Sequence, residues 1–180
     1  MRYAVGSKVV HPRLGAGTVM DIQEKSIGDL TCTYYVIDPV AKAMDLMVPV
    51  ERADDLGLRP AKDALEVRLM LSACGVAPEP ELIESDSKLR REGVRQHLSS
   101  GRFSAVVEAV RTLFYVNAER PLGLGDRQLL NRGKELLAGE LALALDLDMK
   151  EAMQQVEDGL TEMLPHAQNE TTPAAHSTIE

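Results

Sequence analysis

Val5-Gly6-Ser7-Lys8-Val9-Val10-His11-Pro12-Arg13-Leu14-Gly15-Ala16-Gly17-Thr18-Val19 is the stretch whose reading decides the fold. Two β-prone runs end in Val9-Val10 and resume at Thr18-Val19, with Pro12 to Gly17 interrupting them. Gly15 and Gly17 allow backbone conformations that a Cβ penalises, which suits a tight reversal between strands. Outward from this turn the pattern continues as Thr33-Tyr34-Tyr35-Val36-Ile37, then Met44-Asp45-Leu46-Met47-Val48-Pro49-Val50. Short runs divided by polar turns predict a small, strongly bent β-barrel.

After residue 60 the apolar period changes from two to between three and four, and Pro60 suits the boundary. A first helix is expected over Ala64–Leu71, ended by Gly75. The prolines of Ala77-Pro78-Glu79-Pro80-Glu81 place a loop there. A second helix runs from Ser87 to about Leu98 with Asp86 or Ser87 as cap, and Ser99-Ser100-Gly101 stops it. The third, Ser104 to Asn117, puts Val106, Val110 and Leu113 on one face. Asp126 to Ala138 forms a fourth. A last helix carries Leu141, Leu143 and Leu145 and continues towards Leu160. The fold class is α+β, a small barrel over residues 1–60 followed by an all-α domain over 61–164. Residues 165–180, rich in Thr, Ala, Asn, Gln and Pro, are expected to be a disordered tail.

A hydrophobic content of 44% supports a true core, and 3% aromatics without Trp make it aliphatic. No long uncharged apolar run predicts a membrane span, and no apolar segment after Arg2 predicts a secretory peptide. Cys32 and Cys74 share no short motif and read as reduced, buried thiols of a cytoplasmic protein. The net charge of −8 argues against nucleic acid until its distribution is considered. Between Lys88 and Lys134 there are ten basic residues against four acidic ones, whereas nine acids from Glu140 onward face Lys150 alone. Such asymmetry points towards nucleic acid, although a solvated helical surface explains the charge equally well.

The residues from Val5 to Val19, with the later strand runs, resemble the amino-terminal module of the CarD/CdnL family of bacterial transcription regulators. Leu98-Ser99-Ser100-Gly101 with Val106 to Leu113, and Leu136 to Ala144, are similar to that family's helical domain. The likeness covers most of residues 1–160 in the family's order. It implies a Tudor/SH3-like barrel, related to a domain of transcription-repair coupling factor, that docks on the RNA polymerase β subunit. It also implies a helical domain that binds promoter DNA near the upstream edge of the transcription bubble and so stabilises the open complex. For polymerase the resemblance points to Lys25 and to the strand Met44, Asp45, Leu46, Met47 and Val48, with Met47 standing where some relatives have Arg. For DNA it points to Ser87, Lys88, Arg90, Arg91 and Arg95, with Arg127 and Arg132 on a later helix. The best-known family members carry a Trp wedge at the start of the second carboxy-terminal helix, a position that falls on Ser87 here, or on Lys88 if the loop shifts by one. Ser87 is too small and polar to replace an unstacked base, which leaves phosphate neutralisation as the mode of contact.

Other chemistries find little in the chain. His11, His97, His166 and His176 show no metal-ligand spacing, and no phosphate-cradling Gly-rich loop ends in Lys-Ser/Thr. An aromatic cage for methylated lysine needs converging rings, yet adjacent Tyr34 and Tyr35 project to opposite strand faces. No enzyme activity, cofactor, metal or small-molecule substrate is therefore expected. The alternative reading is a polymerase-binding adaptor whose helical domain contacts another protein and not DNA.

Overall fold

The computed structural model describes residues 2–27 and 30–164, so the tail expected over 165–180 lies outside the described residues. Strand β1 (Lys8–His11) enters the Pro12–Leu14 turn and returns antiparallel as β2 (Gly15–Ile27), with His11 opposite Gly15. Gly15, at φ +96°, is the turn glycine. Gly17 has a different task. A Cβ there would lie 2.5 Å from the Asp38 carbonyl oxygen, so its bareness admits the neighbouring strand β3 (Leu30–Pro39). β4 (Leu46–Pro49) pairs with β3, and β5 (Arg59–Pro60) with β1, giving the antiparallel order β4-β3-β2-β1-β5.

A bulge between Val19 and Asp21 bends the long β2. The sheet wraps Tyr3, Val9, Val19, Tyr35, Ile37, Val48 and Leu58. Tyr35 is fully buried, and its hydroxyl accepts from the backbone N–H groups of Arg2 (3.1 Å) and Tyr3 (3.2 Å). Two expectations need correction. The strand expected from Met44 begins at Leu46, because the register would set Met44 opposite Pro39, which has no N–H to offer. Cys32 is exposed and not buried, since it pairs with Lys25 on the part of the β2–β3 hairpin that outruns the core.

The helices follow as α1 (Ala64–Ser72), α2 (Ser87–Ser99), α3 (Phe103–Glu119), α4 (Leu124–Leu145) and α5 (Met149–Thr161). Asp63 and Glu66 form a capping box on α1, and Asp148 and Glu151 another on α5. Asp86 caps α2 by accepting from the amides of Lys88 and Leu89 at 2.8 and 3.0 Å. The break expected near Gly139 is absent. α4 runs straight through it and ends at Asp146, which takes the left-handed conformation at φ 57°. Glycine costs a helix about 1 kcal/mol, and α4 carries that cost here without a steric need for it, since a Cβ added at Gly139 would meet Ala16 of the barrel only at ordinary contact distance, 3.9 Å.

Val10, Ala16 and Leu143 form an apolar seam where α4 meets the sheet. Beside it Lys8 Nζ donates to the Leu143 carbonyl at 2.6 Å. Arg59 forks onto Glu140 with two hydrogen bonds of 2.7 Å and donates through Nε to the Gly101 carbonyl at 2.6 Å. The barrel thus sits on α4 through apolar contact and a bidentate ion pair.

Two glycines separate tight packing from plain helix propensity. A Cβ at Gly133 would approach Val110 Cγ2 to 2.3 Å, and a helical Val has one comfortable rotamer with which to yield. Gly133→Ala is expected to lower stability by about 1–3 kcal/mol in thermal or urea unfolding. Gly93→Ala meets nothing within 4 Å and is expected to raise it by about 0.5–1 kcal/mol.

Candidate functional site

β4 is an edge strand. Its inner side is hydrogen-bonded to β3, and among the described residues no strand covers its outer side. Alternation along it turns Val48 into the core at 3% exposure and leaves Met47 exposed, with Leu46 half-buried. Met44 (76% exposed) and Asp45 precede the strand on the surface. Of the residues expected at the polymerase, Val48 is therefore a core residue, reachable only through its backbone. Lys25, exposed and without an ion pair among the described residues, lies opposite Cys32 on β2, beyond the Pro49 end of β4. Two strand spacings and two residues of rise separate them, on the order of 10 Å. The free edge and this cation share one end of the sheet.

The basic residues of the helical part divide by helix geometry. Arg90, Val94 and Leu98 recur every four residues, which puts all three on the buried stripe of α2. Arg90 is only 6% exposed. It donates to Asp126 Oδ2 at 3.0 Å and to the Glu84 carbonyl at 3.0 Å. Arg91 donates to the other oxygen of Asp126 at 2.8 Å and stays partly open to solvent. Burial works against ionisation of Asp126, but hydrogen bonds from Arg91 and Arg90 outweigh it and hold the carboxyl below the usual aspartate range. Arg90 is thus not a surface cation as expected, but one arm of a buried triad that pins α2 to the start of α4.

The others keep surface positions. Lys88 and Arg127 are exposed without ion pairs among the described residues, and Arg127 donates to the Leu122 carbonyl at 3.2 Å. Arg95 is paired with Glu92 only at 3.8 Å, both side chains being more than half exposed. Arg132 is held by Glu135 at 2.9 Å and by the Arg13 carbonyl at 2.6 Å. Ser87 is exposed at the first turn of α2, beside a groove of about 480 Å³ that Arg91 and Arg120 also line. Lys88, Arg91 and Arg95 stand at i, i+3 and i+7, a single stripe along α2.

Sequence reasoning missed Asp126, Glu140, Arg59 and Arg13. The first had a signal. Asp126 lies with Leu130 and Leu137 on the buried stripe of α4, so an acid in an apolar series marks a buried partner for a cation. Glu140, 2% exposed among Leu137, Ala138 and Leu141, carries the same mark. No candidate metal cluster of His, Cys, Asp or Glu occurs among the described residues, and none of their helices is long and apolar enough to cross a membrane.

Comparison with known proteins agrees with this two-part arrangement. The profile of the CarD-like/TRCF RID domain matches residues 3–62, and that of the CarD carboxy-terminal domain matches residues 78–157. The chain is also similar to a Bacillus subtilis (strain 168) protein named "Putative transcription factor YdeB". The two are 24% identical over 149 residues, which span 83% of this chain and 96% of that protein. Barrel and helical region match successive domains of one family in its own order, so the chain belongs to the CarD family of RNA polymerase-interacting transcription regulators.

Proposed function

We propose that the protein docks on the RNA polymerase β subunit by adding β4 to a sheet edge of that partner. Its helical part then holds promoter DNA beside the upstream edge of the bubble and stabilises the open complex. Residues 1–60 serve as the polymerase-binding unit and residues 61–164 as the DNA-facing unit of a cytoplasmic, non-catalytic regulator. The carrying observation is the outer edge of β4, which no strand covers among the described residues, with Met47 exposed on it and Met44 exposed just before it. Strand addition draws its affinity from backbone hydrogen bonds, so it tolerates a methionine where relatives place a cation.

The test uses the full chain and purified polymerase. Met47→Ala is expected to keep binding within a few-fold. Met47→Pro, lacking a donor and stiffened in φ, is expected to lose it by more than tenfold while circular dichroism stays native. A photo-crosslinking residue at Met44 is expected to label the β subunit, and labelling of another subunit overturns the assignment. A second reading, the adaptor that binds no DNA, is favoured by the Arg90–Asp126–Arg91 triad, which consumes charge that a phosphate would otherwise meet. Absence of binding to forked promoter DNA at low salt decides for the adaptor.

A further inference from the structure

The turn between β1 and β2 does more than reverse the chain. Arg13 at its centre is held at both ends of its backbone: its N–H donates to His11 Nδ1 at 3.1 Å, and its carbonyl accepts from Arg132 at 2.6 Å. His11 is buried, and burial together with the Arg13 charge lowers its pKa, which suits a neutral ring accepting that bond. The Arg13 side chain is exposed and makes no ion pair among the described residues. It lines a groove of about 490 Å³ together with Arg95, Gln96 and Glu92 from α2 and Arg132 from α4. Barrel and helices therefore build one concave surface with three guanidinium groups on it.

We infer that this groove is a phosphate-contact site for nucleic acid and that the barrel itself supplies a contact, Arg13. The inference rests on the DNA half of the proposed function. Its occupant follows from the shape of the charge. Lys88 and Arg95 stand about 10 Å apart on a line along α2, given a rise of 1.5 Å per residue, with Arg91, already bonded to Asp126, between them. That matches the rise of about three nucleotides of one strand. The line runs into the groove at Arg95, and Arg13 extends it onto the barrel. An ordered row of cations suits a regular polyanion better than a point-like anion. Glu92 offers little resistance, because its pairing with Arg95 is long and exposed, and a phosphate competes for the same guanidinium. Arg132 is already occupied, so Arg13 and Arg95 carry the contact. Contacts of this kind position the duplex without reading its sequence.

The experiment is a salt titration of full-length protein on forked promoter DNA by fluorescence anisotropy. Arg13→Ala is expected to flatten the log-log salt slope by about 0.9 and to weaken low-salt binding several-fold, whatever the sequence. Arg13→Lys is expected to restore the slope. Lys150→Ala removes an equal charge from α5, away from the groove, and is expected to leave it unchanged. A wild-type slope in Arg13→Ala overturns the inference and leaves the proposed function standing. Weakened polymerase binding by Arg13→Ala with an unchanged DNA slope also overturns it, and assigns the groove to a protein. No DNA binding by the wild type overturns both readings together.

Discussion

Replacing Asp126 with Ala is expected to lower the free energy of unfolding by about 3–5 kcal/mol, measured by urea denaturation near neutral pH. The side chain of Asp126 is 3% exposed and accepts from two guanidinium groups, of which Arg90 is itself 5% exposed and Arg91 30%. Without the carboxylate, Arg91 can turn to water, but Arg90 remains a buried cation with only the Glu84 carbonyl as a partner. The effect comes from that stranded charge. Arg90→Leu combined with Asp126→Leu removes both charges and is expected to be nearly neutral or stabilising. The depressed pKa of Asp126 fixes the sign of the pH dependence. Its contribution is complete above the unfolded aspartate value and is lost as pH falls through the lower folded value. Wild type and Asp126→Ala therefore differ most at neutral pH and converge in strong acid. Convergence on raising the pH instead would contradict the ion-triad account. Arg90→Ala, wherever it stays folded, is expected to leave the DNA salt slope unaltered.

The second large effect belongs to the seam between sheet and helices. Glu140 accepts from both terminal nitrogens of Arg59 at 2.7 Å and from the Lys62 amide at 2.9 Å, with its side chain 2% exposed. Glu140→Ala is expected to cost about 3 kcal/mol, the lower end for a broken buried pair, because Arg59 is 23% exposed and retains the Gly101 carbonyl. It also removes one polar contact between barrel and α4, leaving those of Lys8 to the Leu143 carbonyl and of Arg132 to the Arg13 carbonyl. A distance measurement between spin labels on Cys32, which is exposed, and on a cysteine placed at Gln128 reports this directly. The wild type is expected to give one narrow distance distribution and Glu140→Ala a broad one. A narrow distribution in the variant would mean that Val10, Ala16 and Leu143, with the Lys8 and Arg132 hydrogen bonds, suffice to hold the seam. A rigid seam matters to the proposed function, since a regulator that grips two partners transmits one partner's position to the other only through a fixed spacing.

Much of the fold is local and so legible in the chain. The reversal at Pro12–Gly15, the Asp86 cap of α2 and the apolar faces of α3 arise from residues a few positions apart. α4 shows where that reading stops. Gly139 looks like a helix end within its own segment, yet α4 continues through it on a stretch that faces Ala16 of the barrel, more than 120 residues earlier. Gly17 likewise reads as a turn glycine although the strand beside it requires its missing Cβ.

The same division runs through the candidate site. Sequence by itself determined the family, the α+β class and the concentration of basic residues between Lys88 and Lys134, because each is carried by residue order, period or composition. Tertiary structure alone decided which of those cations face solvent. Charge is a property of a residue, but availability depends on partners distant in the chain: Asp126 removes Arg90 from the surface, and the Arg132 contact anchors the turn that presents Arg13.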